Sequence, residues 1–113
     1  MKIVKLKFKK SVSLDTAGYR LYFTEYPTEI IKGQTPVVDI TNFLTPDVSD
    51  DNYVSVILND IPIFGDLEGV YNFGLEAYDR YDNDSPILIN GLENITIDFL
   101  APAPPTNAVI IYE

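Results

Sequence analysis

The sequence contains no histidine, no cysteine and no tryptophan among its 113 residues. The commonest general base and the thiol nucleophile are therefore both missing. Neither a disulfide framework nor a thiolate metal site can form. Basic residues are also scarce, 8 Lys and Arg against 17 Asp and Glu, for a formal net charge of −9. Phosphate contacts need a basic face, so nucleic acid is not an expected partner. No apolar run approaches the roughly 18 residues of a membrane helix, so no membrane partner is expected either. Lysines interrupt the opening Met1-Lys2-Ile3-Val4-Lys5-Leu6-Lys7, which does not read as a signal peptide. There is no phosphate-cradling Gly-rich loop and no nucleophile elbow. The many carboxylates could supply a glycosidase-type pair, but a small β domain offers no deep cleft for one. An enzyme is not expected.

What is present favours strands. Hydrophobic residues make up 46% of the chain, which includes 8 Tyr and 6 Phe, and 8 Pro and 6 Gly punctuate it. The length suits a single core. Val4, Leu6 and Phe8 alternate with Lys5, Lys7 and Lys9, as a half-buried strand requires. Ser11 to Gly18 reads as a loop. Tyr19, Leu21 and Phe23 then define a second strand ending near Pro27. Val37–Ile40, Tyr53–Leu58, Tyr71–Ala77, Ile95–Phe99 and Val109–Tyr112 read as further strands. In the Tyr71 strand, Tyr71, Phe73 and Leu75 take the buried phase and Asn72, Gly74 and Glu76 the solvent phase. No helical period appears. Six or seven short strands separated by turn signals indicate an all-β, two-sheet sandwich.

Two acidic loops are the candidate metal sites. Asp79, Asp82 and Asp84, with Asn83, follow one strand, and Asp47, Asp50 and Asp51 form the second cluster. Hard oxygen ligands of this type suit calcium, and Asp79, Asp82 and Asp84 are the candidate ligands. Their spacing is not that of an EF-hand, and Asx turns account for the same residues without a metal. No other cofactor is indicated. Tyr19 and Tyr71 fall on buried phases, whereas Tyr22, Tyr78, Tyr81 and Tyr112 are expected near the surface. Aromatic residues there can bind carbohydrate or protein. Lys2, Lys5, Lys7, Lys9 and Lys10 hold five of the eight basic charges. They read as a solvated strand face or as a handle for an acidic partner.

The order and wording of these segments resemble the fibronectin type III family, especially its bacterial members. Leu6-Lys7-Phe8-Lys9-Lys10-Ser11 looks like the family's second strand, with Phe8 at the position of the core aromatic. Asp15-Thr16-Ala17-Gly18-Tyr19-Arg20-Leu21-Tyr22 looks like the entry to the third. Gly69-Val70-Tyr71-Asn72-Phe73-Gly74-Leu75-Glu76-Ala77-Tyr78-Asp79 looks like the sixth, with Tyr71 as the corner tyrosine. Two departures stand out. Ile61-Pro62 lies well upstream of Tyr71, and the chain opens directly in the second strand.

A segment similar to the family's Pro-rich lead-in and first strand lies instead at the C-terminus, Ala101 to Val109. The expected organisation is a sandwich over residues 1–100. Residues 101–113 then form a Pro-rich segment and strand that complete the same sandwich or swap to a neighbour. Asn107 to Tyr112 is the segment expected to pair, because its apolar side chains are costly to leave in water. The resemblance implies a non-catalytic protein-interaction or structural assembly module, acting on a protein partner or on itself. The alternative is a carbohydrate- or surface-recognition accessory module, stabilised by calcium in one version.

Overall fold

Seven strands form in the computed structural model, which describes residues 3–99 and 102–112. Expectations that fall on Lys2 or on the boundary between Leu100 and Ala101 lie outside the described residues. The strands are β1 (Lys5–Lys9), β2 (Thr16–Glu25), β3 (Val37–Asp39), β4 (Thr45–Pro46), β5 (Tyr53–Ile57), β6 (Glu68–Asp79) and β7 (Ile95–Asp98). They make two antiparallel sheets, one ordered β1-β5-β4 and the other β3-β2-β6-β7. Short 3-10 turns at Thr41–Phe43, Leu58–Asp60 and Pro62–Phe64 are the only helical segments among the described residues.

Alternation in the sequence sets the packing. Phe8 pairs with Val54 and Leu6 with Val56 across β1 and β5, so four apolar side chains share one face. In the larger sheet Leu21 faces Leu75 and Phe23 faces Phe73. The two apolar faces meet in a single core that includes Phe8, Leu21, Val54, Val56, Tyr71, Phe73 and Leu75, with Tyr19 packed against it. Phe64, from the connection between β5 and β6, is fully buried and meets Phe23 edge-on at 4.8 Å between ring centres. Phe8 meets Tyr19 in the same manner at 4.9 Å.

The structure departs from the sequence reading at five places. β4 forms at Thr45–Pro46, in a segment read as a polar loop. β2 begins at Thr16, inside the expected loop, with a register irregularity between Thr16 and Gly18. Tyr22, expected near the surface, is buried, with its hydroxyl tied to Glu76. Asn72, Gly74 and Glu76 are buried instead of solvated, so β6 is covered on both faces from Tyr71 to Glu76. The cover is built from residues 26–36 and 84–94. A methyl group on Gly74 would lie 2.6 Å from Cγ2 of Ile87 and 3.2 Å from Cγ2 of Ile30. Finally, Val109–Tyr112 forms no strand. Residues 102–112 are exposed throughout and carry no secondary structure.

Candidate functional site: the open flank beside β1

β1 is an outer strand and pairs with β5 alone. The phase of its free edge follows from the ladder. The Val4 carbonyl accepts from Leu58 N at 2.9 Å, and Lys10 N donates to the Asn52 carbonyl at 2.8 Å. Backbone groups of alternate residues point to the same neighbour in an antiparallel pair. Those of Leu6 and Phe8 therefore also point to β5, and those of Lys5, Lys7 and Lys9 point outward. No strand meets them among the described residues. The lysine side chains stand on the outer face of this sheet, and Leu6 and Phe8 face inward. Lys7 is held in place, with its Nζ 2.8 Å from Oδ2 of Asp47 and 5.2 Å from the centre of the Tyr53 ring.

Beside this edge the two sheets do not close. An apolar groove of about 180 Å³ opens there, lined chiefly by Val4, Leu6, Leu58, Phe73, Leu92 and Ile95. Its walls come from both sheets, on the flank where β1 and β7 are the outer strands. It is smaller than the roughly 300–1,000 Å³ of ordinary small-molecule sites. Side chains of an added strand would suit it better than a ligand.

The C-terminal segment offers complementary chemistry. Val109, Ile110, Ile111 and Tyr112 are 75–90% exposed. They are four consecutive large apolar side chains in water, preceded by Pro102, Pro104 and Pro105. The longest dimension of the molecule is 72 Å against 34 Å for the next, and this outstretched arm fits that elongation.

The acidic loops are organised as turns. Oδ1 of Asp79 accepts from the backbone N–H groups of Tyr81 at 2.8 Å and Asn83 at 3.0 Å, and Oδ2 accepts from the Asn83 side chain. Those bonds, the Asn83 side chain first, hold the Asp79 carboxyl below the usual range. Asp82, at positive φ, reaches Arg20 at 2.7 Å. Asp84 reaches Lys32 at 3.2 Å. In the other loop, Asp47 accepts from Lys7 and from the Ser49 N–H and hydroxyl, which push its carboxyl far down. Among the described residues, no three acidic side chains are grouped to hold a metal ion.

Sequence reasoning missed a charge network on the outer face of the larger sheet. Glu76 is 1% exposed. Its Oε1 accepts from the Tyr22 hydroxyl at 2.9 Å and lies 3.4 Å from Arg20. Its Oε2 lies 3.2 Å from Lys32 Nζ, an ion-pair distance whose angles fall short of a hydrogen bond. Arg20 also sits over the Tyr78 ring, 4.0 Å from its centre. Burial raises the Tyr22 hydroxyl above its ordinary pKa, and the bond to Glu76 adds to this. The only signal in the sequence was Gly74, since a glycine inside a strand marks close approach of another segment.

The chain matches no protein-family model, no curated protein and no solved structure.

Proposed function

We propose that the chain is an immunoglobulin-like sandwich of the fibronectin type III kind, and that it works as a non-catalytic protein–protein assembly module. The observation that carries the functional reading is the unpaired edge of β1 lying beside an apolar groove between the sheets. Free strand edges are templates for β-augmentation, in which backbone bonds give affinity and alternate side chains give specificity.

Three features support the fold assignment. The sheet orders β1-β5-β4 and β3-β2-β6-β7 follow the family's arrangement, with no strand at the first-strand place beside β1 among the described residues. Phe8 is in the core, at the place of the family's aromatic anchor. The Tyr71 hydroxyl donates to the Glu68 carbonyl, 3.4 Å away and three residues upstream, as a corner tyrosine does. A carbohydrate surface would gain from a row of exposed tyrosines. Tyr26 follows β2 next to the Tyr71 end of β6, and Tyr81 lies beyond its Asp79 end, so the two sit at opposite ends of the sheet.

Short peptides of alternating apolar sequence, added to the full chain, should slow hydrogen exchange at the Lys5, Lys7 and Lys9 amides. Unchanged exchange at all three with every peptide, and in concentrated protein alone, would sink the reading.

A further inference from the structure

We infer that the strand filling the open flank is the Asn107–Tyr112 segment of a second copy of this chain, laid antiparallel to β1. This rests on the assembly reading above and names its partner. The chain carries both an acceptor and a donor, and each lacks what the other has. β1 exposes the backbone groups of Lys5, Lys7 and Lys9 beside an apolar groove. The C-terminal arm exposes four apolar side chains, and residues 102–112 make no strand of their own.

The chemistry selects a register. If Ile110 lies opposite Lys7, then Ala108 faces Lys9 and Tyr112 faces Lys5, and all three pairs exchange backbone hydrogen bonds. Residues directly opposite share a face of the sheet. Val109 and Ile111 then fall opposite Phe8 and Leu6 on the inward face, and the Ile111 side chain meets the groove that Leu6 lines. Tyr112 stays on the lysine face, where its hydroxyl keeps its water. Shifting by one residue would drive the Tyr112 hydroxyl into the groove and turn Val109 and Ile111 out to water. Charge agrees with the placement. The arm from 102 to 112 carries no charged residue, so it brings no like charge to the receiving edge with its Lys5, Lys9 and Lys10, in a chain of net charge −9. The prolines supply the reach. With φ fixed and no N–H to donate, Pro102, Pro104 and Pro105 favour an extended arm over one that folds back. Each copy holds one donor and one acceptor, so the contact is heterologous. It closes as a pair when reciprocated and extends as a chain when not.

The test uses two full-length single variants, Lys9→Cys and Ala108→Cys, mixed and oxidised with oxidised glutathione. Opposed residues of a hydrogen-bonded antiparallel pair lie about 5.5 Å apart at Cα, within the range a disulfide spans. The mixed disulfide should form about tenfold or more faster than with Val109→Cys as the second chain, because pairing concentrates one thiol beside the other. Adding Ile111→Asp to the Ala108→Cys chain should remove that advantage. The arm is exposed, so this change leaves the sandwich folded. Equal rates for Ala108→Cys and Val109→Cys overturn the register. If Ile111→Asp also has no effect, the inference as a whole falls. Should unrelated apolar peptides still protect the Lys5, Lys7 and Lys9 amides, the assembly reading survives and only the identity of the strand is wrong. Cross-linking confined to a double variant within one chain would show that the arm folds back on its own β1, which also overturns exchange.

Discussion

The Tyr22 hydroxyl donates to Oε1 of Glu76 at 2.9 Å, across neighbouring strands and under a cover of loop. Arg20 and Lys32 balance the buried carboxylate from its two sides. This network ties β2, β6 and the segment containing Lys32 into one unit, and so fixes one sheet of the sandwich. Glu76→Gln should cost about 1–3 kcal/mol of folding stability in urea titrations. Breaking one partner of a buried pair costs more when the others cannot reach water, and both cations here are partly exposed. A double-mutant cycle with Arg20→Met should show coupling of about 0.5 kcal/mol or more. Additive effects would mean that the pair is only a neighbourly arrangement.

Gly74→Ala should destabilise by about 1–3 kcal/mol, the usual cost of adding a methyl group to a filled space. The colliding atom is Cγ2 of Ile87, so Ile87→Ala in the same chain should recover part of the loss. No recovery would mean that the cover over β6 is not packed as described.

Stability should hold across neutral pH and fall on both sides. For Asp39, burial pushes the carboxyl upward, but bonds from Thr41 and the Tyr78 hydroxyl outweigh it and leave the pKa lowered. Asp47 and Asp79 are lowered as well. A lowered carboxyl stabilises the fold above its unfolded pKa of about 4 and loses that contribution as pH falls through the folded value. Tyr22 is raised, so its contribution is complete below about pH 10 and is lost as pH rises through its folded value. Thermal melts should therefore be flat between about pH 5 and 9, with acid and alkaline declines. A melting temperature that rises below about pH 4 would contradict the roles given to these carboxylates.

Millimolar calcium should leave the melting temperature nearly unchanged, because Asp79 is engaged in its own turn while Asp82 and Asp84 face Arg20 and Lys32. A rise of several degrees, reversed by EDTA and absent in Asp82→Ala, would assign the loop to a metal.

The strands were legible because alternation marks a half-buried sheet, and Lys5 to Lys9 display it without interruption. The cover over β6 was not, because the loops that bury Asn72, Gly74 and Glu76 are distant in sequence. Asn72 is satisfied only there, with its amide donating to the Thr28 carbonyl and its oxygen accepting from Asn94 N. The same distance hid Tyr22. Val109–Tyr112 forms no strand within its own chain for another reason: strand-forming composition requires a neighbouring edge, and none lies beside that arm among the described residues. The open edge was legible as an expectation, but the groove was not, because its walls come from β1, β6 and the residues around Leu92.

The most direct measurement of the central claim is amide hydrogen exchange at Lys5, Lys7 and Lys9 over a range of protein concentration. Exchange at Leu6 and Phe8 should be slow throughout, since their N–H groups bond to β5. At Lys5, Lys7 and Lys9 it should be fast in dilute solution and slow as concentration rises, and Ile111→Asp should keep it fast. Exchange at these three amides that stays fast at every concentration, in a protein that remains monomeric, would contradict self-assembly through this edge.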